Sequence, residues 1–213
     1  MSFKRSLVTL CAAMAASMSA QAAFQFELTE VGSNVVLTGS GSFNVAGLTP
    51  TTGWVSGGGF LGPNSPFLQI GAFGAKLDMY SVAAVPAGAS TFGTYGFIPA
   101  GVSTGDTTSF ASDLNHVFGP HDWRFSVPAG YVSGTQLSGS ATFTGTSFAS
   151  LGITPGTYAW TWGSGATADS VTLTAAVPEP STYAMALAGL GVLGLWARRQ
   201  QRRGASRAHA PAA

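Results

Sequence analysis

Phe24, Phe26 and Leu28 alternate with Gln25, Glu27 and Thr29, the period-2 pattern of a strand with one face in a core and the other in water. Gly32-Ser33-Asn34 offers a turn, and Val35 to Val45 continues the pattern, so the two runs predict a hairpin. Further strands are predicted over 67–73, 76–85, 91–98, 123–127 and 136–144. The clearest pair lies later: Tyr158, Trp160 and Trp162 occupy alternate positions, Gly163-Ser164-Gly165 turns, and Ser170 to Val177 returns with Val171 and Leu173. Helical periodicity is nearly absent, with 109–117 the one stretch that predicts a turn or two. Many short strands separated by Gly and Pro predict an all-β, single-domain β-sandwich or jelly-roll-like ectodomain over residues 23–176. Phe and Trp residues spread through that stretch supply apolar area for one core.

The two ends follow other rules. Lys4 and Arg5, an apolar stretch from Leu7 to Ala16, and Ala20-Gln21-Ala22 as an A-x-A site predict a helical signal peptide over 1–22, cut before Ala23. Signal peptidase and the secretion machinery are then partners. The single cysteine, Cys11, lies inside that segment, so the exported chain has neither disulfide nor thiolate. Near the other end, Thr182 to Ala197 is uncharged, about 24 Å long as a helix at roughly 1.5 Å per residue. It predicts a single, short transmembrane helix with Tyr183 and Trp196 at its interfaces. Arg198, Arg199, Arg202 and Arg203 come next as a membrane-stop cluster that keeps this end cytoplasmic. Residues 204–213 are expected to be a disordered tail. Ahead of the span, Pro178 and Pro180 exclude helix and ladder, so Val177-Pro178-Glu179-Pro180-Ser181 is an accessible connector.

In this order of parts, over residues 177–203, the chain resembles the PEP-CTERM family of exported proteins of Gram-negative bacteria. The resemblance implies that an exosortase-type transpeptidase recognises the tail and removes it. The protein would pass from an inner-membrane intermediate to the cell surface or to an extracellular matrix of the exopolysaccharide or biofilm kind. The second half of the ectodomain, from Pro128 to Leu173, also resembles an ectodomain type found among PEP-CTERM proteins, with Gly156 to Ser170 as its hairpin signature. That likeness carries no activity. Asp169 is expected to brace the hairpin turn.

Charge narrows the partners. Between Ala23 and Val177 only Lys76 and Arg124 are basic, against seven acids, a net of −5. Two isolated cations cannot neutralise a run of phosphates, so nucleic acid is excluded as a partner. Gly189 to Gly194 matches G-x-G-x-x-G, but no acidic residue occurs after Glu179 and no βαβ unit surrounds it, so small residues on a membrane helix are the better reading.

Three candidates for chemistry remain. Gly101-Val102-Ser103-Thr104-Gly105 fits the hydrolase G-x-S-x-G pattern, with Asp113, His116, His121 and Asp122 downstream. The nucleophile elbow, however, needs a strand-turn-helix in an α/β sheet. The same His and Asp residues fit no established metal-ligand spacing. Trp54, Trp160 and Trp162 are candidates for stacking on sugar rings, although aromatics alternating along a strand are more often core. The reading is therefore a structural or interaction protein without catalytic residues, metal or cofactor. The alternatives are a carbohydrate-binding module for extracellular polysaccharide and, behind it, a secreted hydrolase.

Overall fold

The computed structural model describes residues 22–82, 88–112 and 123–177, together with 190, 192 and 196. The chain divides into two units, Met1–Ala176 and Val177–Ala213. In the first, the strands run in the order β1 (Ala22–Val31), β2 (Asn34–Gly41), β3 (Pro50–Val55), β4 (Phe60–Gly62), β5 (Phe67–Ile70), β6 (Lys76–Val82) and β7 (Ile98–Pro99). They continue as β8 (Val102–Gly105), β9 (Thr108–Ser112), β10 (Trp123–Pro128), β11 (Leu137–Thr144), β12 (Gly156–Trp162) and β13 (Asp169–Ala176). One short helix, α1 (Phe148–Leu151), comes after β11.

The strands form two sheets, one of six in the order β12-β13-β1-β2-β11-β8 and one of seven in the order β3-β6-β10-β9-β5-β4-β7. The alternation read from the sequence is the alternation of burial: Phe24, Phe26 and Leu28 are buried while Gln25 and Glu27 are exposed. Buried side chains from both sheets form one cluster, with Phe24, Leu37, Phe143 and Leu173 from the first and Ile70, Phe110 and Phe125 from the second. Each such side chain contributes roughly 1.5–3 kcal/mol on burial. Aromatic rings join the layers: Phe43 stacks on Phe125 with centroids 4.7 Å apart, and Trp162 stacks on Phe110 at 5.9 Å and on Phe125 at 5.7 Å.

Two glycines set how closely the sheets approach. Gly39 on β2 is paired with Gly139 on β11. A Cβ at Gly39 would lie 2.6 Å from Ile70 Cδ1 and 2.8 Å from Phe24 Cε1. Only a bare backbone lets the six-stranded sheet close onto Ile70 here.

The structure corrects several expectations. The second strand stops at Gly41, whose φ of 137° breaks the extended run before Val45. Residues 109–112, expected as helix, belong to β9, where Phe110 faces the core between β10 and β5. Residues 91–97 are not a strand: the backbone N–H groups of Phe92 and Tyr95 donate instead to Pro63 O and to Leu151 O at the end of α1. The turn before β13 is a 3-10 turn at Gly165–Thr167, closed by Ser164 and Thr167 rather than by Asp169. The first and last strands, β1 and β13, pair in parallel from Ala22↔Asp169 to Thr29↔Ala176, a long-range pairing that local pattern does not announce.

Among the described residues no helix is long and apolar enough to cross a membrane. The expected span lies outside them except at Leu190, Val192 and Trp196, which are helical and exposed. The signal segment up to residue 21 also lies outside.

Candidate functional site

The sorting connector begins where the sheet ends. Ala176 is the last paired residue of β13, opposite Thr29 of β1, and Val177 is 45% exposed. Pro178, Glu179, Pro180, Ser181 and the arginines at 198, 199, 202 and 203 lie outside the described residues, as does Ala20. Ala22 and Ala23 open β1, beside Asp169 and Ser170.

The tryptophans fail as a stacking platform. Trp160 is fully buried and Trp162 is buried to 7% exposure. Both sit on the inward phase of β12, where the indoles pack on Phe110 and, for Trp162, Phe125. Burying such large rings in the core is worth more than leaving them for a ligand. Trp54 is half-buried, with Nε1 donating to Ser126 Oγ at 3.3 Å. No two of the three share an exposed face.

Ser103 lies within strand β8 opposite Ala141, and its Oγ accepts from the Gly59 N–H at 3.0 Å. The hydroxyl ties the edge of the six-stranded sheet to the segment leading into β4, in a context of strand and loop instead of a nucleophile elbow. Asp113, His116, His121 and Asp122 lie outside the described residues. Among the described residues no group of three His, Cys, Asp or Glu side chains is arranged to hold a metal.

What the tryptophan reading missed is a trough of about 510 Å³ on the outer face of the six-stranded sheet. The strand register explains its lining. One row runs across four strands as Thr172, Gln25, Ser40 and Ser138; the next runs across three as Thr174, Glu27 and Thr38. Neighbouring strands are ~4.8 Å apart, so each row repeats a polar group at that spacing. Gly39 and Gly139 lie beneath, between the rows. The lining is amide and hydroxyl with Glu27 as its one charged side chain, which suits a neutral, hydroxyl-rich ligand and gives a phosphate or sulfate nothing to pair with. The outward polar phase of β1, β2 and β13 was visible in the sequence, but the rows depend on registers that were not.

Asp169 is the other unusual group. It is buried to 4% exposure. Its Oδ2 accepts from the Asn44 N–H at 2.7 Å, 125 residues away, and its Oδ1 accepts from the Ser170 N–H at 2.6 Å. Burial pushes its carboxyl up to about 6, against the partial opposition of those two amide donors. Tyr131, whose hydroxyl accepts from Phe43 N–H at 3.0 Å, also has its pKa raised, first by burial and further by the Asp169 charge.

Comparison with known proteins adds one finding. Neither the curated proteins nor the solved structures yield a match to this chain. A family model described as the PEP-CTERM protein-sorting motif matches residues 176–203, from the last residue of β13 through the arginine cluster. The chain therefore carries a PEP-CTERM protein-sorting motif at residues 176–203, a signal that indicates targeting to exosortase and to the outside of the cell.

Proposed function

We propose that this is a surface or extracellular-matrix protein whose β-sandwich ectodomain has a structural or interaction role, and whose tail is an inner-membrane intermediate's anchor until an exosortase-type transpeptidase removes it. The observation that carries this reading is the sorting motif at residues 176–203, beginning at the residue where the folded sheet ends. A connector placed immediately after the last strand leaves the ectodomain whole when it is cut. The reading gives the chain no catalytic role and no cofactor.

The test is to fractionate cells and measure intact mass, with and without the exosortase, and with Pro178-Glu179-Pro180 replaced by alanines. The expected result is a shortened protein outside the inner membrane in the wild type and a full-length protein held in that membrane in both other cases. A full-length species in wild-type inner membrane, unchanged by either loss, leaves a plain single-span anchor.

A second reading, binding of extracellular polysaccharide, is favoured by the outer trough and its two polar rows, no longer by tryptophans. Titration of neutral oligosaccharides into the wild type and into Gln25→Ala/Thr38→Ala decides it: heat that is lost in the variant supports the trough, and no heat in the wild type removes it.

A further inference from the structure

Asp169 continues the inward row of β13 above Val171 and Leu173. In the six-stranded sheet β1 lies between β13 and β2. The bond from Asn44, beyond the end of β2, to Asp169 on β13 therefore reaches past the first residues of β1. Ala22 is the residue paired with Asp169, and Ala23 is paired with Ser170. The nitrogen of Ala23 is one peptide bond from the Cα facing Asp169, in strands ~4.8 Å apart. It is also held in place: Ala23 O accepts from Ser42 N–H at 3.1 Å, and a Cβ on Gly41 would come within 2.2 Å of that same oxygen.

We propose that removal of the leader between Ala22 and Ala23 leaves an α-ammonium group on Ala23 that pairs with the buried Asp169 carboxylate and locks the first strand of the exported domain. The proposal rests on the reading that the signal segment ends before Ala23. Hydrolysis adds water across that amide: Ala22 leaves as a carboxylate, and the Ala23 nitrogen keeps its hydrogen and takes up two protons as the ammonium. An α-amino group has an ordinary pKa of about 7.7–8.0, so it is mostly charged at pH 7 even before a carboxylate favours it further.

Until the cut, the influences on the Asp169 charge among the described residues are burial and two backbone N–H groups. The second titratable group that acts on it is Tyr131, neutral in this range as a phenol ordinarily is, with its pKa raised further by burial. A buried carboxylate without a cation is costly, and supplying the cation relieves that cost. The precursor is thus the less stable form, and the final stability of the domain is conferred where the leader is removed.

The experiment compares two chains in the same detergent at pH 7. One is Ala23–Ala213 released from a fusion so that Ala23 is the first residue. The other carries Gly-Ser ahead of Ala23. The free-amine chain is expected to melt roughly 3 to 6 °C higher, and Asp169→Asn should erase the difference. A carboxyl-carbon titration of Asp169 in the two wild-type chains, which needs no variant to fold, should show its pKa lower by at least about one unit beside the free amine. Equal melting temperatures together with equal Asp169 titrations overturn the proposal. N-terminal sequencing of the exported protein separately tests the leader reading: a start other than Ala23 sinks that reading, while the fusion-released chain still reports on the ion pair.

Discussion

Strands β1 and β13 run side by side in the same direction, yet their two ends are built in opposite ways. At the starting end a carboxylate is buried beside the first residues of β1, bound by Asn44 N–H at 2.7 Å, on a residue whose register partner on β12 is the buried Trp162. At the finishing end Ala176 closes the register against Thr29 and the next residue, Val177, is exposed. The finishing end borders the sorting motif at residues 176–203, and the starting end borders the bond at which the leader is expected to be cut. On the proposal above, a cut at the first changes the charge inside the fold, whereas a cut at the second leaves every described ladder pair of β1 and β13 in place. Parallel pairing makes this possible by placing the start of β1 and the finish of β13 at opposite ends of two neighbouring strands.

The largest effect is expected where the buried end loses the register partner of Asp169. Trp162→Ala removes a ring stacked on Phe110 at 5.9 Å and on Phe125 at 5.7 Å. It should cost about 3–5 kcal/mol, read as a lower urea midpoint at unchanged slope. Water admitted beside Asp169 should also bring its carboxyl back toward the ordinary range, since burial is the leading cause of its shift. An Asp169 titration unchanged by the substitution would contradict that cause and weaken the contrast between the ends.

Next in size is the pH dependence of the chain whose Ala22–Ala23 bond is intact. Asp169 holds its proton up to about 6 when folded and to about 3.8 when unfolded. The folded state binds the proton more tightly, so this contribution to stability is full below pH 4 and is lost as the pH rises through 6. The loss is about 3 kcal/mol. With a free amine at Ala23 the folded pKa falls, and the decline should flatten. Urea midpoints at pH 4, 5, 6 and 7 for both chains measure it, and a parallel decline in the two would erase the distinction.

A middle-sized effect is expected between the ends. Gly39→Ala places a methyl 2.6 Å from Ile70 Cδ1 and should cost about 1–3 kcal/mol by overpacking. Adding Ile70→Val removes that carbon and should restore part of the loss, while the Phe24 ring at 2.8 Å limits the recovery. Failure of the second substitution to help would mean that the close approach of the sheets is set elsewhere.

The contrast between the ends also marks what could be read in advance. The β1 alternation and the β12–β13 hairpin were legible because period-2 burial is a local property: Phe24, Phe26, Trp160 and Val171 announce their own faces. The sorting signal was legible because it is an ordered run of adjacent residues. Short strands such as β4 and β8 were not, because three or four residues rich in Gly and Ser carry too little pattern. The segment at 109–112 was misread because Ser, Ala and Ser around one Phe fit either period. Nothing local pairs β1 with β13, brings Asn44 to Asp169, or aligns Thr172, Gln25, Ser40 and Ser138 into one row. Those depend on registers between strands far apart in the chain, and the candidate trough and the buried carboxylate both depend on them. The indoles of Trp160 and Trp162 were legible as a pair, but their face was decided by the second sheet, which offered Phe110 and Phe125 as partners.

The smallest effect is expected at the finishing end, and it tests the contrast from the side of the sorting signal. The ladder between β1 and β13 ends at Thr29↔Ala176, and Val177 is exposed beyond it. Among the described residues, every core side chain and every ladder pair of the two sheets lies at or before Ala176, so ending the chain after Val177 keeps them all. Ala23–Val177 should therefore unfold within about 0.5 kcal/mol of Ala23–Ala213 in the same detergent, a shift of at most about 2 °C. The comparison is made on chains that both begin at Ala23, so the starting end is constant. A loss of several degrees would mean that the tail supports the ectodomain before it is removed. In that case exosortase cleavage would be a structural event like the removal of the leader. A shift within the expected range leaves the sheet complete at Ala176, as a domain must be if its tail is to be cut away and the rest is to remain folded outside the cell.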